Sequence, residues 1–551
     1  MKNWIIGIAA LSGSLHALGQ SSLGSITGNM EATFQYLNPD TLIGATQPDS
    51  KGLLNSYMNV FYTNGHFKAG MRVESYLPRI QGYPNRFDGT GIGMRYVGYT
   101  NDYVDVTLGN FYEQFGSGMI FRAYEDRNLG YDNTVDGARL ILRPVKGLQL
   151  KGIYGRQRYS FSDGKVIASD GVTRGADIEV HVNSLLPRLD STGLDVTLGG
   201  SLVSKYQKDD LEELILPENV GSYGGRIGLR YKKFTLKGEY IYKENDPSAD
   251  NGYIYNPGHA ALINFGYTQK GFGILLSAKS VDNMSYRSDR SKGLADLFIN
   301  YLPALNKTHT YNLVATLYPY ATRPVGEIAY QAEVIYTIAK EKTRRGKYSI
   351  PINVNFSNAY VPMRHTSGIN ASDSTGVTYV GRLFDMSDSL MWQDINASIG
   401  YKFNKSLNVV LSYYNITLNN DISKVTEDAH GLIVSNIGVA EIGWKINKKH
   451  NLRTELQALF TPKDKGNWAT VVLEYTISPG WFFSVMDQYN YGNKNSDLRL
   501  HYLIGSVGWI KDATRLTMSY GRQRAGLFCV GGVCRFVPAS NGLTLSFTQS
   551  F

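Results

Sequence analysis

The densest chemistry in the chain lies between Glu113 and Asp136, where Glu113, Arg122, Glu125, Asp126, Arg127, Asp132 and Asp136 sit among Phe and Tyr. Carboxylates this close could divide acid–base work, one ionised and one protonated. Such work also needs a nucleophile or a poised base, and none stands at a recognisable spacing. The same residues fit a charge-paired loop that folds into the mouth of a larger structure and narrows it. That second reading is preferred, with Glu113, Arg122, Glu125, Asp126 and Arg127 as the constriction. No H-E-x-x-H, G-x-x-x-x-G-K-[ST] or G-x-S-x-G occurs. Gly89-Thr90-Gly91-Ile92-Gly93 precedes a strand-like run and opens no helix, so it is not expected to cradle phosphate. The histidines are scattered without ligand spacing, and His365 beside Arg364 reads as a solvated loop residue. No catalytic residue, cofactor or metal is expected, and the chain is read as non-enzymatic.

Two cysteines, Cys529 and Cys534, flank Val530-Gly531-Gly532-Val533. Gly-Gly between matched residues is a two-residue hairpin turn. With the glycines in the turn, Val530 faces Val533 and Cys529 faces Cys534 across a non-hydrogen-bonded pair, close enough for a disulfide. An oxidising, exported location suits that bond. Two thiols without further ligands would make a poor zinc site.

The elements around these residues follow from composition and period. Of 551 residues only 42% are hydrophobic, yet 12% are aromatic, and there are 58 Gly and 39 Tyr. There is no run long and apolar enough for a membrane helix. The aromatic content excludes a disordered chain, and the glycines lack the collagen period. From about residue 23 onward the chain alternates. Leu543, Leu545, Phe547 and Phe551 oppose Thr544, Ser546, Thr548 and Ser550. Phe234, Leu236, Tyr240 and Tyr242 oppose Thr235, Lys237 and Glu239. Similar strands run through 328–338, 395–403 and 471–477. Period two with one apolar face is the signature of strands.

A soluble sandwich would alternate too. The turns decide against it. Tight ones at Asn64-Gly65, Asn101-Asp102, Lys232-Lys233, 404–406 and 478–480 interleave with long ones near 38–53, 116–135, 285–326 and 359–390. A transmembrane barrel has short periplasmic turns and long outer loops. The expected fold is all-β, a single large antiparallel transmembrane barrel of about 24 strands, within roughly 22–26. Pro303, Pro319 and Pro324 mark 285–326 as a structured loop, since proline interrupts ladder hydrogen bonding.

The ends agree. Lys2, the apolar run Trp4–Leu11 and the small-residue site Ala17-Leu18-Gly19 read as a cleaved signal peptide over 1–19, with Gln20 starting a barrel over 20–551. Strand-like sequence begins so early that no N-terminal plug is expected. The formal charge of +9 includes Lys2. Phe547 and Phe551 close the chain as a C-terminal insertion signal. The expected location is the outer membrane. The expected partners are its lipid and lipopolysaccharide, together with the barrel-insertion machinery. Nucleic acid is not expected as a partner.

Arg230, Lys237, Glu239, Glu441, Lys445, Arg453 and Glu455 fall on polar strand faces and should line the lumen. A wide barrel must fill its interior with water, loops or a partner. Mixed charge points to a hydrated lumen with internal ion pairs, hence a passive or loop-gated channel for hydrophilic solutes.

Three segments carry a resemblance. One runs from Glu113-Gln114-Phe115-Gly116-Ser117-Gly118 through Tyr124-Glu125-Asp126-Arg127 to Asp132-Asn133. The second is Tyr318-Pro319-Tyr320-Ala321-Thr322 with Gly326-Glu327. The third is Tyr520-Gly521-Arg522-Gln523-Arg524 through Cys529 and Cys534 to Val537-Pro538 and Asn541-Gly542. Together they resemble an uncharacterised outer-membrane β-barrel family of Bacteroidota, a domain of unknown function. The resemblance implies an outer-membrane barrel and names no functional residue. Because such bacteria commonly own a type IX secretion system, it also implies an alternative role as an accessory barrel in protein secretion or surface-protein maturation, with secretion-system components as partners.

Overall fold

The structure, a computed structural model, describes residues 24–551 apart from 211–213, 344–345, 367–377 and 427–428. The signal-peptide segment 1–19 lies outside the described residues. The described chain forms one 24-stranded antiparallel sheet in which consecutive strands pair as neighbours. It closes because the first strand, Ser25–Asn38, pairs on one side with Gly52–Asn64 and on the other with the last strand, Ser540–Ser550.

Alternation builds the wall. In Phe234–Lys243 the side chains of Phe234, Leu236, Tyr240 and Tyr242 face outward, while Lys237, Glu239, Ile241 and Lys243 face the lumen. Repeated around the sheet, this gives an apolar belt of the kind that faces lipid hydrocarbon. Aromatic residues gather on its exterior near the short-turn rim. Phe67 packs on Tyr99 at 5.2 Å, Phe234 on Tyr267 at 4.9 Å, and Tyr401 on Phe403 at 4.7 Å, with Trp444 and Trp481 exposed at the same level. Amphipathic rings of this kind settle at the headgroup boundary.

The tight turns read from sequence all fall on that rim, and the long connections on the other. One long connection differs from expectation. Most of 359–390 is strand: Ile350–His365 and Val380–Lys402 form a hairpin that runs past the belt. Its pairing shifts register between Ala359 and Arg364, and such bulges erase the period on which the sequence reading depended. The hairpin bends over the barrel's outer face. The Phe384 amide donates to Ser280 Oγ at 3.0 Å and Tyr379 Oη to Asp282 Oδ1 at 3.2 Å.

The closing seam depends on one glycine. Gly28 N donates to Phe551 O at 2.9 Å, and Phe551 N donates back to Gly28 O at 2.9 Å. A Cβ on Gly28 would sit 2.4 Å from the Phe551 ring and 2.5 Å from Asn59 O. Gly28→Leu is therefore expected to open the seam and remove most of the folded, heat-modifiable species on gel electrophoresis. A wild-type yield from Gly28→Leu would contradict the role given to this contact.

Candidate functional site

Toward the long-loop rim the inward positions turn apolar. Val203, Val220, Ile241, Leu262, Ile433 and Ile437 are buried although they face the lumen. Such a wall needs a cover, and the connections 112–134 and 283–325 supply it. The second carries Met284, Tyr286, Ile299, Leu302, Leu313 and Val314 into a shared core, with a short helix at Asn312–Thr316. Burying one such side chain contributes about 1.5–3 kcal/mol, which offsets an ordering cost of about 1–2 kcal/mol per residue.

Polar anchors fix the loop's position. Buried Lys243 donates to Ser285 O at 3.0 Å, and buried Lys279 donates to Pro303 O at 2.6 Å while pairing with Glu327 at 2.6 Å. Trp392 Nε1 donates to Tyr318 O at 3.2 Å. The two inward loops also join each other, Arg122 N to Ile299 O at 2.8 Å and Tyr301 N to Gly118 O at 2.9 Å. The loops thus fill much of the lumen toward the long-loop rim. Internal ion pairs line both halves of the wall, and in the long-loop half they lie beneath the loops, as Lys279 with Glu327 does.

The charge-rich segment is clamped to the wall. Arg72 pairs with Glu74 at 2.8 Å, Glu125 at 2.9 Å and Asp132 at 2.9 Å. Arg158 pairs with Glu74 at 2.7 Å and Asp132 at 2.9 Å. Glu74 also accepts from Tyr76 Oη at 2.9 Å, and Asp132 from Tyr112 Oη at 3.0 Å. Arg158 enters where the pairing of Leu148–Ser162 with Lys165–His181 shifts register. Glu113 is held by Arg139 at 3.2 Å and Lys151 at 2.8 Å. Arg127 bridges Glu125 at 3.1 Å and Glu31 at 2.6 Å and lies 4.2 Å above the Tyr57 ring. Asp126 caps its own turn through the amides of Asn128 and Leu129. Arg122 stacks between Tyr124 at 4.3 Å and Tyr301 at 4.2 Å. These carboxylates are spent holding the loop. Asp136 stands apart, 3.5 Å from exposed Arg95.

The other residues singled out by sequence fall as follows. Arg230 pairs with Asp195 near the short-turn rim. Glu239 accepts the Ser117 amide at 2.9 Å, so one wall charge holds the tip of the charge-rich loop. Arg453 gathers Glu441 at 2.9 Å, Glu474 at 2.8 Å and Glu455. Lys445 shares that strand face and is exposed near its end. Phe547 sits opposite Ala32 in the seam. Cys529 and Cys534 are disulfide-bonded and face each other in the hairpin Gly526–Val530/Val533–Val537. Arg72, Glu74 and Arg158 were missed. The first two had a signal, since Arg72, Glu74 and Tyr76 alternate on one strand face. Arg158 had none, being displaced by its bulge.

Space remains beside the loops. A cavity of about 690 Å³ lies against Asn29, Lys68, Arg72, Tyr96, Asn110 and Arg139. A second, of about 500 Å³, lies between the inward loops and the wall from Met486 through Arg522 to Gln35, beneath the disulfide hairpin. Glu31 and Arg127 line both. A third, of about 590 Å³, holds Arg226, Arg230, Lys237 and Glu239 on another sector.

The model of a family of unknown function, DUF6029, matches residues 1–551. No curated protein matches the chain. Among solved structures, the P pilus usher (PapC) translocation pore is 8% identical, covering 95% of this chain and 99% of that one, with a TM-score of 0.41. The siderophore receptor PiuA from Acinetobacter baumannii is 9% identical over 95% of this chain and 82% of that one, with a TM-score of 0.38. The outer membrane protein opdK from Pseudomonas aeruginosa is 10% identical over 96% of this chain and 99% of that one, with a TM-score of 0.36.

Proposed function

The chain belongs to the DUF6029 family of unknown function, and we propose that it is a non-enzymatic outer-membrane channel closed by its own loops, passing small hydrophilic solutes along an off-centre path. The supporting observation is that the two cavities of about 690 and 500 Å³ meet at one ion pair, Glu31–Arg127. A solute rising from the short-turn rim reaches that pair before it reaches the space under the hairpin. Charge at a narrow junction sets which ions pass. Arg127→Ala is therefore expected to raise single-channel conductance in planar bilayers. Glu31→Gln, which removes one of the two carboxylates on the arginine and leaves it Glu125 alone, should shift the reversal potential in a salt gradient toward anion selectivity. If neither variant differs from wild type, the path does not run through this junction.

A second reading is favoured by the projecting hairpin Ile350–His365/Val380–Lys402. It presents Met363, Val380, Leu383 and Met386 exposed on its surface. That surface suits a scaffold role in protein secretion or surface-protein maturation, with secretion-system components as partners. Loss of the gene should then impair export of surface cargo. Unchanged export would remove this reading.

A further inference from the structure

The space beneath the disulfide hairpin has a chemistry of its own. Four arginines line it, Arg127, Arg522, Arg524 and Arg535. Two of them are neutralised. Arg127 pairs with Glu31 at 2.6 Å, and Arg522 pairs with Asp40 at 2.6 Å. The other two make no ion pair among the described residues. Arg524 donates to Thr316 Oγ1 and to Ala525 O at 3.3 Å, and lies 5.7 Å from the Trp468 ring. Arg535 donates to Gly82 O at 3.0 Å, and its buried Nε has no acceptor from the protein. A guanidinium beside carbonyls and rings keeps its positive charge and its unused donors.

The remaining lining is mixed, with Glu31, the partner of Arg127, as its carboxylate. Asn55, Gln81 and Asn128 offer amides, while Tyr83, Tyr502 and Phe528 offer aromatic surface. The volume of about 500 Å³ falls within the range of small-molecule sites, about 300–1,000 Å³. The hairpin forms the roof and is tied to the inward loop at its turn. Tyr301 Oη donates to Gly531 O at 2.8 Å and the Thr322 amide to Gly532 O at 3.1 Å. An anion here would meet two uncompensated guanidiniums in a partly water-excluded space, where charge-assisted hydrogen bonds are strongest.

We propose that this cavity is a binding site for a small organic anion, with a carboxylate or phosphate head held by Arg524 and Arg535 and an apolar body against the aromatic side. It rests on the channel reading only in treating the cavity as part of a solute path. The affinity itself is measured without transport, so a barrel silent in bilayers would sink the channel and leave the site standing. Isothermal titration of detergent-purified protein with benzoate, phenyl phosphate and neutral benzyl alcohol tests it. The two anions should bind saturably and benzyl alcohol at least about tenfold more weakly, as expected for loss of a charge-assisted contact. The stronger of the two anions identifies the head group. Arg524→Gln and Arg535→Gln should each weaken anion binding at least about tenfold, with Arg188→Gln, an exposed arginine on the opposite rim, as the unaffected control. Equal binding of benzyl alcohol and benzoate would overturn the proposal, as would unchanged binding in both folded variants. The wild-type comparison decides the matter alone if a variant fails to fold.

Discussion

Replacing residues 289–320 with a short Gly-Ser linker should turn a nearly closed barrel into a wide pore. Barrels of about 16–18 strands already leave an aqueous channel, and this sheet has 24. The inward loop is the larger of the two connections that fill the long-loop half, through Ile299, Leu302, Leu313 and Val314. The wall does not depend on it for backbone pairing, because every strand is hydrogen-bonded to two neighbours around the closed sheet. Nor are the wall lysines stranded. Lys243 keeps Asp246 at 3.7 Å, and Lys279 keeps Glu327. The cost is hydrophobic. Wall side chains of the shared core that pack on the replaced residues would meet water at about 25 cal/mol per Å², so the variant should unfold at lower denaturant while remaining a barrel. Single-channel conductance should rise at least about tenfold over wild type, toward that of an unobstructed porin-sized lumen. A conductance unchanged in a folded variant would mean that another segment closes the lumen.

Arg158→Met should be the most destabilising single substitution in the clamp. It removes one of the two guanidiniums that hold Glu74 and Asp132, and Glu74 is fully buried. Breaking a buried pair by deleting one partner costs about 3–5 kcal/mol, because the remaining charge stays desolvated. The comparison is Arg230→Met. Arg230 also pairs with a carboxylate, Asp195, but its side chain is 68% exposed, and such a pair contributes only about 0–1 kcal/mol. Urea titration followed by heat-modifiable mobility should separate the two widely. Equal losses would show that the network around Glu74 is not what fixes loop 112–134.

What could be read from the sequence was what repeats. The strand period, the asymmetry of the turns and the even count depend on local alternation, and all reappear in the sheet. The facing of Cys529 and Cys534 depended on a two-residue turn and was equally legible. The inward course of 283–325 was not, because no local rule says on which side of a wall a loop lies. Its signal stood in the strands instead. Tyr240-Ile241-Tyr242 and Ala260-Ala261-Leu262-Ile263 lose period two toward the long-loop rim, as strands do when both faces are covered. The hairpin at 359–390 was lost for the opposite reason, since bulges interrupt its alternation. For the site, the acidic residues of 113–132 were visible as a cluster. Their partners were not, since Arg72, Glu74 and Arg158 come from distant strands and meet the loop only when the sheet closes.

The most direct test of a barrel closed by its own loops, with an off-centre path for small solutes, is a graded permeation assay. Proteoliposomes of the wild-type protein would be challenged with uncharged solutes of increasing size in a swelling experiment. The account expects glucose-sized solutes to enter and large oligosaccharides to be excluded, with the size limit lost when residues 289–320 are replaced. Free entry of large oligosaccharides into wild-type vesicles, or exclusion of every solute from vesicles holding a correctly folded barrel, would contradict it.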